Sequence, residues 1–370
     1  MLIGVNGLTK SFGDNLLFDG ISFGVEKDDI IGLIGENGCG KTTLFKILSG
    51  DERYDAGGVV KKSGIEVGVL QQHACAGSML SAYDETLSVF SELLELEKRI
   101  EKVNLRLETG DDAELIAEQQ TLNERFERLG GLTFRSRTAA ALSGLGFSAE
   151  EQKLSISGLS GGQRSKIELC KLLLSTPDVI LLDEPTNHLD IDAIEWLDGY
   201  IKSCKCAVMI ISHDRYFLDR VANKIFELSN KKLYFCNGNY SKYCIVREER
   251  LEAVRRNYEN TMREVDRIER IIEQQRRWNR EKNIKTAESK QKQIDRMLEG
   301  LEIPDGERES MTLSFSAAVR SGDEVLCTEG LSKTFDGRVL YKDVSLYVRR
   351  SERVFIIGPN GCGKTTLTRM

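Results

Sequence analysis

The sequence of this chain contains one segment twice. Residues 7–47 align without a gap with residues 330–370, at a constant offset of 323 positions. Each copy contains the pattern Gly-x4-Gly-Lys-Thr, which begins at Gly35 in the first copy and at Gly358 in the second. Such self-similarity predicts a domain that begins twice. A strand and a loop without the rest of their sheet cannot bury a core, so we expect the chain to be a fragment of a longer product.

The first copy has the sequence context that a phosphate-binding loop requires. Residues 30–34 form an apolar run that predicts a buried strand, and residues 44–48 continue the loop as a helix. The glycines let backbone N–H groups approach phosphates, and the N-terminus of the helix adds partial positive charge. Lys41 is expected to reach the β- and γ-phosphates of ATP, and the Thr42 hydroxyl to bind Mg²⁺.

The predicted nucleotide-binding residues come from both copies of the repeat. Phe12 and Phe335 precede their loops by the same interval, and each is predicted to stack on adenine, although a lone ring is more often part of a core. The set in the first copy is Phe12, Gly35, Glu36, Asn37, Gly38, Cys39, Gly40, Lys41, Thr42 and Thr43. The set in the second copy is Phe335, Gly358, Pro359, Asn360, Gly361, Cys362, Gly363, Lys364, Thr365 and Thr366.

Two carboxylates follow the apolar run at residues 179–182. Asp183 is predicted to hold Mg²⁺, directly or through water, and Glu184 to orient and polarise the attacking water. Paired acids at the end of a strand can also be a solvated turn, but the phosphate loop upstream argues against that alternative. His213 follows another apolar run and could donate a hydrogen bond to a γ-phosphate, although a lone histidine is more often an ordinary core or surface residue.

A second anion-binding element is predicted at the start of a helical pattern. Its residues are Leu159, Ser160, Gly161, Gly162 and Gln163. A helix that begins in this way offers free N–H groups and a hydroxyl to an anion. Taken alone, this interpretation would be weak.

Composition excludes several classes of protein. The formal net charge of −6 argues against a general nucleic-acid binder. No run of eighteen apolar residues occurs, so no transmembrane helix is expected, and the N-terminus lacks the features of a signal peptide. The nine cysteines are odd in number and scattered, which favours a reduced, cytoplasmic compartment and no structural zinc.

The motifs occur in the order seen in ATP-binding cassettes. The phosphate loop is followed by Gln72, the Leu-Ser-Gly-Gly-Gln signature, the acidic pair, the segment 188–190 and His213. Three segments resemble the ABC-F branch of that family: DEPTNHLD at 183–190, SHDRYFL at 212–218 and GNYS at 238–241. The resemblance implies ATP and Mg²⁺ as cofactors. It assigns catalysis to Glu184, His213 and Gln72, and metal binding to Thr42, Gln72, Asp183 and Thr365.

The resemblance also implies a partner. Members of the ABC-F family carry two cassettes in one chain, joined by a long helical linker, and have no membrane domain. Many bind the ribosome near its tRNA exit site, where the linker reaches toward the peptidyl-transferase centre. Some protect ribosomes from antibiotics and others tune elongation. We therefore expect ribosomal RNA and tRNA as partners, a second cassette in the full-length protein and no membrane insertion.

The expected fold class is α/β. It is a P-loop ATP-binding cassette with an antiparallel β subdomain and a helical subdomain, followed by an antiparallel helical hairpin linker and the start of a second cassette. The predicted domains are a first cassette at 1–243, a linker at 244–320 and the second cassette's beginning at 321–370. The helical subdomain, with a short arm, is expected at about 80–158, where residues 93–107 and 115–129 have helical periodicity.

The linker shows a coiled-coil pattern of apolar residues. The predicted first helix covers residues 247–273, and its apolar positions are Leu251, Val254, Tyr258, Met262, Val265, Ile268 and Ile272. The returning helix has a looser set, namely Ile284, Ala287, Ile294, Met297 and Leu301. The tip of this hairpin is expected near residues 278–283.

Basic residues are concentrated near that tip. Residues 276–296 hold eight Lys or Arg against three Asp or Glu. Such a segment in an acidic protein suggests a local contact with a phosphate backbone, although it is also compatible with an ordinary solvated surface. The predicted RNA-contacting residues are Arg276, Arg277, Trp278, Arg280, Lys282, Lys285, Lys290 and Lys292.

Cassettes act in pairs, because the ATP on one phosphate loop is closed over by the signature of the other cassette. This chain has one signature and one acidic pair, so we expect ATP binding with poor turnover, unless first cassettes pair between chains. Lys364 and Thr365 could meet Ser160. Three other functions stay open at this point. They are the energising subunit of a transporter, an ATPase acting on DNA branches and a non-catalytic binding module.

Overall fold

The fold was analysed in a computed structural model. It describes residues 1–70, 78–108, 113–187, 189–277, 281–301, 304, 322–335 and 338–370. The predicted site residues Gln72, Trp278 and Arg280 lie outside the described residues, as does His188. The side chains of Arg276, Arg277, Lys282 and Lys285 also lie outside them. The chain divides into two compact units, Met1–Tyr240 with Ser321–Met370, and Ser241–Arg320.

The first unit begins with an antiparallel sheet. Its strands are β1 (Ile3–Phe12), β2 (Asn15–Val25) and β4 (Ala56–Lys61), in the order β2-β1-β4. Strand β1 pairs antiparallel with both neighbours and carries irregularities in its register. This sheet confirms the expected antiparallel β subdomain.

A larger sheet forms the centre of the unit. It contains β3 (Ile30–Gly35), β5 (Val67–Val69), β6 (Val179–Asp183), β7 (Ala207–Ile211), β8 (Lys224–Ser229) and β9 (Lys232–Asn237). The strand order is β5-β6-β7-β3-β8-β9, and only β9 runs antiparallel to its neighbour among these described strands. The carboxyl ends of β3, β6 and β7 therefore meet at one edge of the sheet.

Two apolar cores lie on opposite faces of this sheet. Successive residues of a strand point to opposite faces, and β6 shows this directly. Ile180 and Leu182 belong to one core, whereas Val179 and Leu181 belong to the other. All four side chains are buried, which explains why the strand is continuously apolar in sequence.

Eight α-helices accompany the sheets in the described part of residues 1–239. They are α1 (Lys41–Ser49), α2 (Ala82–Leu87), α3 (Ser91–Leu107), α4 (Ala113–Arg128), α5 (Phe134–Gly144), α6 (Gly161–Ser175), α7 (Ile191–Ser203) and α8 (Arg215–Val221). Helices α3 and α4 confirm the two helical segments predicted within residues 80–158. They pack through Leu96, Val103 and Leu122.

The second copy of the repeat forms a smaller structure. Strands β10 (Glu324–Phe335) and β11 (Arg338–Arg349) pair antiparallel, and α11 (Lys364–Arg369) follows its loop. Residues 354–357 correspond to strand β3, yet they are not in a strand, and Phe355 is 83% exposed. The described residues contain no second set of parallel strands that could flank this segment, so it buries no core, as predicted.

The second unit is a pair of helices, α9 (Tyr240–Arg277) and α10 (Glu281–Leu298). Val265, Ile268 and Ile272 of α9 form a buried cluster with Ile294 of α10, so the helices pack as the expected antiparallel hairpin. Among the seam residues whose side chains are described, Val265, Ile268, Ile272 and Ile294 are buried, whereas Leu251 is exposed. No described helix combines the length and the apolar character that a membrane span needs.

Candidate functional site

The first phosphate loop joins the end of β3 to the start of α1. Gly40 caps this helix in a left-handed conformation with φ of 103°. A Cβ atom added at Gly40 would lie 3.2 Å from side-chain atoms of Leu17 and Phe18. Because glycine has no side chain, Gly40 can adopt the left-handed conformation and the loop can pack closely against β2.

Lys41 folds back over the loop. Its Nζ donates hydrogen bonds of 2.9 Å to the Gly35 carbonyl and 2.8 Å to the Glu36 carbonyl. These contacts hold an ammonium group at the centre of the loop, next to the N-terminus of α1. The arrangement concentrates positive charge where an anion can bind.

A cavity of about 390 Å³ opens above this loop. Its lining brings together residues that are far apart in the sequence. They are Phe12, Leu17, Asn37, Gly38, Gly40, Lys41, Thr42, Thr43, Asp183, Glu184, Ile211 and His213. The cavity thus joins the loop, the acidic pair and the histidine that were singled out in the sequence.

Two oxygen atoms that could bind a metal ion lie together in the cavity. Thr42 Oγ1 donates a 2.7 Å hydrogen bond to Asp183 Oδ2. The hydroxyl comes from the first turn of α1, and the carboxylate comes from the end of β6. A hydroxyl and a carboxylate oxygen are ligands of the kind that Mg²⁺ prefers, so the residues present fit this metal.

Glu184 has an unusual backbone conformation for a residue with a side chain. Its φ is 50°, in the left-handed region, and its N–H donates to the Ile211 carbonyl at 2.9 Å. Such strain is concentrated at functional sites, where the surrounding structure enforces it. The left-handed turn ends β6 and directs the Glu184 side chain into the cavity.

One carboxylate oxygen of Glu184 lacks a donor. Oε1 is buried and accepts no hydrogen bond from the described residues. His213 Nε2 lies 3.6 Å from this oxygen, beyond a normal hydrogen bond, and the imidazole is 62% exposed. An unsatisfied buried acceptor beside a cavity is suited to bind a water molecule.

The phosphate loop also carries a thiol. Burial raises the pKa of Cys39 above its ordinary value, and the nearby Lys41 only partly opposes this effect. The thiol is therefore neutral at physiological pH. It adds no negative charge to a loop that must accept an anion.

The signature residues form the start of α6. Ser160 caps the helix, and a reciprocal capping box joins it to Gln163. Ser160 Oγ donates to Gln163 Oε1 at 3.1 Å, and Gln163 Nε2 donates to Glu151 Oε1 at 3.3 Å. The signature serine is thus held at the end of a short relay of hydrogen bonds.

A second cavity lies at this helix start. It has a volume of about 580 Å³, and Ser160, Gly162 and Gln163 line it together with Asn360 and Gly361 of the second phosphate loop. The loop and the signature therefore face the same space. Lys364 and Thr365, which were expected to approach Ser160, are not among the lining residues.

The second loop repeats the geometry of the first. Lys364 Nζ donates to the carbonyls of Gly358 and Pro359, as Lys41 does to the carbonyls of Gly35 and Glu36. Gly363 caps α11 with φ of 97°. The loop conformation is therefore local, because it forms here without a parallel sheet behind it.

Some residues at the site were not found by sequence reasoning. Leu17 and Ile211 complete the lining of the first cavity, and Lys10 lies 4.6 Å from the centre of the Phe12 ring. The repeat contained a signal for Lys10, because Lys333 stands at the same place before Phe335. Glu151 gave no comparable signal.

Two family profiles match the chain, and both are described as ABC transporter. The first covers residues 18–187 and 341–370, which is more than half of the chain. The second covers residues 226–315, a stretch that includes all of α9 and all of α10.

Known proteins resemble the chain over nearly its whole length. ATP-binding protein Uup of Escherichia coli is 33% identical, with 100% of this chain and 57% of that protein covered. ABC transporter F family member 2 of Arabidopsis thaliana is 33% identical, with 99% and 55% covered. Energy-dependent translational throttle protein EttA of Mycobacterium tuberculosis is 32% identical, with 97% and 63% covered. The chain thus spans less than two thirds of each of these relatives. The family profile and the site geometry agree: the chain belongs to the ABC transporter family of ATP-binding cassettes, and it is similar to members of the F branch such as ABC transporter F family member 2.

Proposed function

We propose that the first cassette binds ATP with Mg²⁺ in the cavity above its phosphate loop and hydrolyses it to ADP and phosphate. The observation that carries this proposal is the buried Glu184 Oε1, which accepts no hydrogen bond from the described residues, in the same cavity as the Thr42–Asp183 pair. A water molecule on this oxygen would stand close to a phosphate held by Lys41. That arrangement supports attack by water on the terminal phosphorus.

Each residue has a distinct part in this mechanism. Lys41 exchanges its two carbonyl acceptors for phosphate oxygens when ATP enters the loop. Glu184 accepts a hydrogen bond from the attacking water and draws negative charge onto its oxygen. His213, which lines the same cavity, is available to donate to the transferred phosphate. The ring of Phe12, 51% exposed, offers a face to the adenine.

Thr42 and Asp183 would hold Mg²⁺. Bound there, the ion would neutralise charge that develops on the phosphate oxygens. Gln72, the further metal and catalytic residue of the proposal, lies outside the described residues. In the second phosphate loop, Thr365 stands at the position of Thr42 and is proposed to bind Mg²⁺ there.

The second cavity supports the pairing of two cassettes. We infer that the anion bound by Asn360 and Gly361 is shared with Ser160 and the N-terminus of α6. The proposed organisation is a first cassette at 1–243, a linker at 244–320 and the start of a second cassette at 321–370.

Phosphate release and ATP binding test the proposal together. Wild-type protein, Lys41→Ala and Glu184→Gln are compared, with Glu150→Gln as an exposed control. We expect Lys41→Ala to lose ATP binding. Glu184→Gln should retain binding and lose about two to four orders of magnitude in hydrolysis, because only the polarisation of water is removed. Unchanged hydrolysis in Glu184→Gln would remove this residue from the mechanism.

We further propose that the protein acts on the ribosome, in a reduced cytoplasmic setting. The relative named as a translational throttle supports this, and so does the excess of basic residues at 276–296 in a chain of net charge −6. Phosphate contacts by this segment would suit ribosomal RNA or tRNA. Of the predicted contacts, Lys290 is partly exposed and Lys292 is exposed on α10.

Pelleting of ribosomes through sucrose tests this second proposal. The Glu184→Gln protein should pellet with ATP and stay in the supernatant with ADP. The double change Lys290→Ala and Lys292→Ala should weaken pelleting and reduce its dependence on salt. Lys27→Ala, an exposed lysine of the cassette, is the control. Binding of ATP without pelleting in either nucleotide would favour the transporter or DNA alternatives.

A further inference from the structure

A lysine lies against the aromatic ring of each repeat. Lys10 Nζ lies 4.6 Å from the centre of the Phe12 ring, and Lys333 Nζ lies 5.2 Å from the centre of the Phe335 ring. Each lysine precedes its aromatic residue by two positions in a strand, so both side chains of a pair lie on one face of that strand. The same contact thus occurs in two segments that are separated by most of the chain.

The two faces of the Phe12 ring have different surroundings. Lys10 is only 6% exposed and does not line the nucleotide cavity, whereas Phe12 lines it and is 51% exposed. The ammonium that contacts the ring is therefore buried in the protein, outside the lining of the cavity. A substantial part of the ring is left free toward the cavity.

Lys10 is fixed in this position by two acceptors. Its Nζ donates 2.8 Å to Glu52 Oε1 and 2.7 Å to the Arg53 carbonyl. The hydrogen bond from Lys10 lowers the pKa of Glu52, so this carboxylate is ionised at neutral pH. Both acceptors come from the segment that follows α1. The lysine thus connects the segment after α1 to the Phe12 ring.

We propose that Lys10 is a positioning residue for the base of the nucleotide, acting through Phe12. This inference rests on the proposed ATP binding and adds a residue to it. A cation over one face of an aromatic ring is attracted by the π electrons, more strongly when it is removed from water. Lys10 holds the ring in place and draws π density toward the protein side. The free face then receives the electron-rich purine, and Lys333 is the equivalent residue in the second copy.

Calorimetric titration with two ligands tests the proposal. The ligands are ATP and inorganic tripolyphosphate, each with Mg²⁺, because tripolyphosphate occupies the phosphate loop but has no base. Lys10→Met keeps the length of the side chain and removes its charge. We expect ATP to bind about three- to tenfold more weakly and tripolyphosphate to bind as to wild type. Lys27→Met is the control for loss of one exposed positive charge.

A double-mutant cycle shows whether Lys10 acts through the ring. In the Phe12→Leu background, Lys10→Met should cause no further loss of ATP affinity. Lys10→Arg keeps a cation at this position, so it should retain most of the ATP affinity that Lys10→Met loses. Equal weakening for ATP and tripolyphosphate, or additive losses in the double variant, would overturn the proposal.

Folding and the parent function are checked separately. If Lys10→Met does not fold, Glu52→Gln replaces it, since that change keeps the ammonium and weakens its anchor. Glu52→Gln should then weaken the binding of ATP and leave the binding of tripolyphosphate unchanged. An affinity for ATP equal to that of wild-type protein would count against the proposed role of Lys10. Failure of wild-type protein to bind either ligand would instead contradict the proposed ATP site itself.

Discussion

The hydroxyl of Thr42 donates a 2.7 Å hydrogen bond to the carboxylate of Asp183, across 141 positions of sequence. Thr42 lies in α1, in the segment that follows β3, and Asp183 is the last residue of β6. Strand β7 lies between β3 and β6 in the sheet. The contact therefore spans the carboxyl edge of the sheet and brings together the two groups proposed to bind Mg²⁺.

Replacement of Asp183 should uncouple ATP binding from magnesium. Asp183→Asn removes the charged ligand and leaves a side chain of the same size. We expect the gain in ATP affinity that Mg²⁺ gives wild-type protein to fall by about tenfold or more. Calorimetry in Mg²⁺ and in EDTA measures this gain. Asp192→Asn, an exposed acid in the first turn of α7, should behave as wild type. A magnesium effect that persists in Asp183→Asn would argue that other residues hold the ion.

Two glycines of the first loop allow strain and packing to be separated. Gly40 and Gly38 both have positive φ, of 103° and 81°. A Cβ at Gly40 would meet Leu17 and Phe18 at 3.2 Å, whereas a Cβ at Gly38 meets nothing within 4 Å. Each alanine replacement should cost about 1–2 kcal/mol of strain, and Gly40→Ala should lose more because of the added contacts. Denaturant unfolding measures the difference. Equal losses would show that the loop moves away from Phe18.

The hydrogen bonds that Glu151 accepts should contribute to stability. Glu151 accepts from Gln163 Nε2 and from the N–H and hydroxyl of Ser148, at 3.3, 3.0 and 2.9 Å. Glu151→Ala removes these hydrogen bonds, of which the one from Gln163 is partly buried, so we expect a loss of about 0.5–1.5 kcal/mol in the free energy of unfolding. The neighbouring exposed Glu150 provides the control, since Glu150→Ala should change it by about 0.5 kcal/mol or less. Identical unfolding curves for the two variants would contradict a supporting role of Glu151.

The hairpin core should depend on a few side chains. Ile268 is 2% exposed and packs with Val265, Ile272 and Ile294. Ile268→Ala should destabilise the helical pair by about 2–4 kcal/mol, because it removes buried methyl groups and leaves a cavity. Thermal melting followed by circular dichroism detects this as early loss of helix. Ile245→Ala, at a position on α9 that is 60% exposed, should have little effect. Equal effects at the two sites would refute a packed core in this half of the hairpin.

Local patterns predicted much of the fold. The apolar run at residues 179–182 became β6, and the three- and four-residue spacing in the linker became α9. The phosphate loop folded alike in both copies, with Lys41 and Lys364 each bound to two loop carbonyls. These features depend on neighbouring residues, through burial periodicity and the conformational freedom of glycine, and neighbouring residues are what a sequence displays.

The sequence by itself therefore determined the kind of nucleotide loop, the helices and strands, and the candidate chemistry of Asp183 and Glu184. Only the tertiary structure decided that Thr42 meets Asp183, that Glu184 turns through a left-handed conformation and that Lys10 lies against the Phe12 ring. It also decided that Leu251 stays exposed although it fits the coiled-coil spacing. The reason is physical: contacts between distant segments depend on the order of the strands and on which partner covers each face. The spacing of residues along the chain indicates neither the strand order nor the partner that covers each face.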